Sequence, residues 1–188
     1  MVAHIKTVSF QGLDVQTVDV QVLMTSGLPK VNIVGLPERA VGESKERVRG
    51  ALASLGLMQP PAHVSINLAP ADLSKEGTHF DLPIVLALMV EMEVLPPDCL
   101  DGMLAMGELG LDGSINSVLG ALPAAIHANR HALSLICQRR TICPMVLSWG
   151  RSSARTAYRT PESSRKPIPG PSGQGSTWSA ELASLRSQ

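Results

Sequence analysis

The chain has 188 residues, of which 44% are hydrophobic and 17% charged, enough for one soluble domain with a sizeable core. Aromatics are only 3%, so that core must be aliphatic; the longest apolar run, Leu82 to Val90, contains Pro83 and falls far short of the roughly 20 residues of a membrane span. The net charge of zero hides an asymmetry: residues 1–134 hold eight Lys/Arg and fourteen Asp/Glu, and residues 135–188 hold eight Lys/Arg and two Glu, an acidic body with a basic tail.

In chain order, Val18, Val20 and Val22 alternate with Asp19 and Gln21 and predict a half-buried strand. A turn at Ser26–Pro29 and a short strand at Val31–Val34 follow, and the two strands are expected to form a hairpin-like pair. From Glu38 the period changes. Val41, Val48, Leu52 and Leu55 mark one face of a helix, and Glu43 and Arg47 are placed as an i,i+4 ion pair on another. Gly56 stops that helix, and Val64, Ile66 and Leu68 make the next strand.

Residues 69–81 read as a polar loop, with Asp81 capping a buried helix from Leu82 to about Met92. Met103 to Leu109 is strand-like, and Asp112-Gly113 predicts a tight turn into Ile115. Leu119, Leu122 and Ile126 then support an amphipathic helix ending near His131, and Leu133 to Cys137 one more strand. The order β-β-α-β-α-β-β-α-β predicts a mixed α/β (α+β) fold, a sheet covered by helices, over residues 1–137. Residues 138–188 turn rich in Ser, Arg and Pro without periodicity and read as a disordered or aberrant tail.

Three cysteines, Cys99, Cys137 and Cys143, suggest no disulfide framework. The first residues lack the apolar stretch of a signal peptide, so a cytoplasmic location is expected. A phosphate-cradling Gly-x-x-x-x-Gly-Lys-Ser/Thr loop does not occur in the sequence; Gly107, Gly110 and Gly113 read as strand and turn glycines. His127 and His131 stand four apart, but a pair without a third ligand reads better as two polar-face histidines than as a metal site. The densest ionisable cluster is Asp72, Lys75, Glu76, His79 and Asp81, a candidate contact loop. Its plainer reading is a solvated loop with a helix cap. No residue is assigned as catalytic, cofactor-binding or metal-binding.

Three stretches, Ser26–Gly56, Ile66–Leu88 and Gly107–Ala125, closely resemble the N-terminal domain of magnesium-chelatase-like AAA+ ATPases of the ComM/YifB type. The resemblance runs from about Val2 to Cys137. It implies the ribosomal-protein-S5-domain-2-like fold, shared with the proteolytic domain of Lon. It also implies that the domain precedes an ATPase module using ATP and Mg²⁺, in homo-hexameric DNA motors associated with branch migration during natural transformation. DNA is then a partner to expect, and a membrane is not.

Lon-type peptidases use a Ser-Lys dyad, and against their motifs His79 stands where the nucleophile would be and Pro123 where the Lys would be. A peptidase is therefore not expected, and neither is ATP hydrolysis, since the chain changes character before a Walker A segment. A truncated or out-of-frame end would account for that change. The alternatives are a stand-alone nucleic-acid- or partner-binding module, the basic tail supplying phosphate contacts, and a residual Lon-like hydrolase.

Overall fold

The computed structural model describes residues 2–12, 14–58 and 61–138. The strands are β1 (Val2–Gln11), β2 (Asp14–Thr25), β3 (Lys30–Val34), β4 (His63–Ala69), β5 (Met103–Ala105), β6 (Glu108–Leu109), β7 (Ile115–Asn116) and β8 (Ser134–Ile136). The helices are α1 (Glu38–Ser54), α2 (Asp81–Glu91) and α3 (Ala121–Arg130). Six strands form one mixed sheet in the order β3-β4-β2-β1-β5-β8, and β6 pairs with β7 in a separate ribbon. The fold is therefore mixed α/β. The expected tail lies outside the described residues, except for Gln138.

The core sits mainly on one side of the sheet. Ile5 of β1, Val18, Val20 and Val22 of β2 and Val64, Ile66 and Leu68 of β4 meet α2 there. Every residue of α2 from Asp81 to Val90 is buried, as an all-round apolar helix requires. α1 adds Val48, Ala51 and Leu52. The other side carries a smaller cluster, in which Val8, Leu104 and Met106 pack under Ala124 and Ala128 of α3. Away from α3 that side is polar: Gln21 donates to Asp19 at 2.8 Å and Asn67 donates to Gln21 at 3.1 Å across the strands.

Four expectations need correction. β1 is absent from the predicted order although it lies inside the sheet, antiparallel to β2 and parallel to β5. Its alternation holds for Ala3 and Ile5 but breaks where Thr7, Val8 and Ser9 are all buried, because helices cover both faces at that end. β2 and β3 form no hairpin: β4 lies between them, antiparallel to β2 and parallel to β3. β3–α1–β4 is thus a parallel crossover unit, which needs the intervening helix.

The strand expected over Met103–Leu109 is two, interrupted at Met106 and Gly107. There the Gly107 N–H donates to the His79 carbonyl at 3.0 Å, and its own carbonyl accepts from the Leu82 N–H at 3.1 Å. Finally, α3 forms as expected but presents the opposite face. Ala121, Ala124 and Ala128 pack inward, while Leu119, Leu122 and Ile126 are exposed. The alanines share the same helical spacing, and their small side chains let the helix lie close to the sheet.

Gly107 marks the closest approach in this region: a Cβ there would stand 2.9 Å from Ile115 Cγ2 and 3.2 Å from Leu82 Cδ2. Gly107→Ala is therefore expected to lower stability by about 1–3 kcal/mol through overpacking. Urea unfolding followed by circular dichroism measures it, and an unchanged midpoint would refute the close approach.

Candidate functional site

The candidate loop runs from β4 to α2. The structure divides its five ionisable residues. Asp72 and Glu76 are exposed, whereas Lys75, His79 and Asp81 are buried. The solvated loop is therefore corrected for three of the five.

Lys75 folds back on its own loop. Its ammonium donates to the Pro70 carbonyl and, at 3.1 Å, to that of Leu73. Burial pushes the pKa of this amine down, with Asp72 opposing the shift. β1 anchors the loop at two further points. The Ser9 hydroxyl donates to the Ser74 carbonyl at 2.5 Å, and His79 Nε2 donates to the Val8 carbonyl at 2.8 Å. A carbonyl can only accept, so Nε2 carries the proton in this arrangement. The His79 ring also packs between Phe10 and Phe80, at centroid distances of 5.5 and 4.1 Å.

Asp81 is the first residue of α2 rather than its cap. Phe80 holds the cap position and no side chain caps the helix. The Asp81 carboxylate instead turns sideways, accepting from Arg47 Nε of α1 at 2.5 Å and from Arg47 Nη2 at 3.4 Å. The Leu109 N–H of β6 points to the same carboxylate at 3.4 Å. Burial raises the Asp81 pKa, and Arg47 pulls it back. The hydrogen bond to Asp81 in turn raises that of Arg47.

Arg47 thus belongs to the site, where the sequence pattern made it a surface partner of Glu43. That pair exists at a longer 3.7 Å. The available signal was the position of Arg47 between Ser44 and Ala51, both on the buried face of α1.

Two open clefts flank the loop. One, of about 300 Å³, lies against α1 and is lined by Arg39, Glu43, Ser44 and Lys75. The other, of about 360 Å³, lies against Phe10, His79, Glu108 and Ser117. His79 contributes an imidazole committed to a backbone carbonyl. Pro123 sits in the first turn of α3, where a missing N–H costs no helical hydrogen bond.

His127 and His131 stack at 4.4 Å between ring centroids, but His127 Nε2 is hydrogen bonded to the Thr17 hydroxyl at 2.7 Å. Among the described residues no group of three or more His, Cys, Asp or Glu could hold a metal ion. Cys99 and Cys137 are free thiols. No helix among the described residues is long and apolar enough to cross a membrane.

The fold and loop define a mixed α/β domain in which Lys75, His79 and Asp81 are stapled into the core. A family model described as subunit ChlI of Mg-chelatase matches residues 20–140. The chain is 41% identical over 125 residues to an uncharacterised protein, YifB, of Escherichia coli strain K12, covering 66% of this chain and 25% of that protein. It is 40% identical over 124 residues to the uncharacterised protein Rv2897c of Mycobacterium tuberculosis strain H37Rv, with shares of 66% and 25%. It is 36% identical over 129 residues to competence protein ComM of Haemophilus influenzae strain Rd, with shares of 69% and 25%. The chain therefore belongs to the ChlI-like magnesium-chelatase family, and the match spans about a quarter of the length of these relatives.

Two outcomes follow from the site. Arg47→Ala leaves the Asp81 carboxylate buried without its main partner and is expected to cost about 3 kcal/mol. A paired Arg47→Met, Asp81→Leu change should cost less, and chemical denaturation of both variants checks the order. His79 is neutral in the fold because burial lowers its pKa, the Val8 hydrogen bond opposing. The unfolded chain therefore takes up this proton first as pH falls. Stability conferred by the neutral ring is present above about pH 6.5 and is lost progressively below it. His79→Gln should flatten the fall in melting temperature between about pH 7 and pH 5, leaving a smaller slope from His127, whose pKa burial also lowers.

Proposed function

We propose that this chain is a non-catalytic, N-terminal-type domain of a magnesium-chelatase-like AAA+ ATPase. On this reading it serves as a rigid contact and regulatory element for a motor that uses ATP and Mg²⁺ to act on DNA. The observation that carries the proposal is the internal commitment of the loop between β4 and α2. Lys75 bonds to its own loop, His79 to Val8 and Asp81 to Arg47. Groups held that way are poorly placed to attack a substrate and well placed to fix the shape of a surface. Membership of the ChlI-like family and similarity to a competence protein support the motor context. A homo-hexameric ring in the cytoplasm and a role in branch migration during natural transformation are parts of the same proposal.

A Lon-like hydrolase is disfavoured by the same commitments, since His79 and Pro123 supply neither an activated hydroxyl nor an amine. A stand-alone nucleic-acid module would instead rest on the basic stretch after residue 138, and salt-dependent DNA binding lost on deleting that stretch would favour it. The test is twofold. The purified chain is expected to hydrolyse neither ATP nor casein above blank. In a full-length relative, exchanging the homologous N-terminal quarter for this domain should preserve ATP-driven migration of a labelled DNA branch, and deleting it should impair migration. Turnover by the isolated chain that disappears on changing one of its own residues would overturn the proposal.

A further inference from the structure

β3 is an edge strand with its outer side unpaired among the described residues. The Lys30 N–H donates to the Ala62 carbonyl at 3.3 Å, and Lys30, Asn32 and Val34 stand in register with His63, Ser65 and Asn67. Alternation along a strand then turns the N–H and C=O groups of Val31 and Ile33 away from β4, toward the open edge. The side chains of these two residues point elsewhere, into a groove of about 270 Å³ between the sheet and α1. α1 packs chiefly on α2 and β6 rather than on β3 and β4, and this leaves the groove uncovered. Its floor is apolar, built from Val31, Ile33, Ile66, Ile84 and Leu88.

The edge carries a lysine on each of its faces, Lys45 on the groove side and Lys30 on the opposite one, although residues 1–134 as a whole are net acidic. Arg49 is paired with Glu46 at 2.5 Å. Lys45 beside the groove and Lys30 at the head of β3 have no ion-pair partner among the described residues. Free backbone groups, an apolar trough under alternate side-chain positions and unpaired cations thus occur together along one edge.

We propose that β3 and this groove take up an extended segment of a partner polypeptide as an added strand, its apolar residues alternating with acidic ones. The added backbone would pair with Val31 and Ile33. Every second side chain would lie over the trough, the intervening carboxylates would meet Lys30 on the opposite face of the sheet, and a carboxylate at the end of the segment would meet Lys45 on the trough side. A second copy of this chain fits the edge less well, because its own β3, Lys-Val-Asn-Ile-Val, carries no carboxylate to meet Lys30 or Lys45.

The test uses the full chain and a fluorescein-labelled heptapeptide, Glu-Val-Glu-Val-Glu-Val-Glu, read by fluorescence anisotropy. Controls are its lysine-for-glutamate counterpart and a block version with the three valines adjacent. The alternating acidic peptide is expected to bind more tightly than either control. Val31→Pro removes an outward N–H that the native sheet does not use, so the fold should tolerate it while affinity falls about tenfold. Lys30→Glu, at the head of β3 on the face that the intervening carboxylates share, should weaken binding about threefold and flatten its dependence on salt. Absence of binding, equal binding of the lysine peptide, or affinity unchanged in both variants would overturn the proposal. So would a concentration-dependent dimer of the chain that Val31→Pro abolishes, since the edge would then serve self-association.

Discussion

The organisation of this domain depends on where one buried carboxylate finds its partners. Asp81 begins α2, a helix buried along nearly its whole length, and a charge there is tolerable only if neighbouring elements satisfy it. Arg47 reaches it from α1 and the Leu109 N–H from β6. One side chain thereby fixes the relative positions of two helices and the small β6–β7 ribbon. The apolar contacts of α2 supply most of the attraction, but they are non-directional. The Arg47–Asp81 fork supplies the orientation.

The second constraint comes from β1. Its backbone and side chains hold the preceding loop through Val8 and Ser9, so the approach to α2 is fixed from the sheet as well as from α1. A loop rich in ionisable residues thereby becomes a structural joint.

Much of this architecture was readable from periodicity. β2, β4 and α1 announce themselves because each has one apolar face and one polar face, and α2 because it has no polar face at all. The parts that were not readable share a cause: long-range partners decide them. The alternation of β1 dissolves where both its faces are covered. β3 is separated from β2 by a strand that comes later in the chain, and no local pattern encodes that insertion. α3 offers two stripes at helical spacing, and the bulky Leu122 and Ile126 lose to alanines because the separation between helix and sheet decides. In the candidate loop the residue types were legible, but which of them turn inward depends on Arg47 and Val8, far away in sequence.

The alanine face of α3 has a consequence for how the molecule yields. An alanine brings little apolar area to a contact, so the layer formed by α3 is held by far less burial than the layer formed by α2. Amide exchange should accordingly be graded across the sheet, with α3 opening by small local fluctuations and α2 exchanging only when the whole domain unfolds. β8 packs beside α3 and hydrogen bonds along β5, so it belongs to the looser layer. A mechanical load applied just beyond Ile136 would therefore be felt first by the compliant side of the sheet, while the side organised around Asp81 stays stiff.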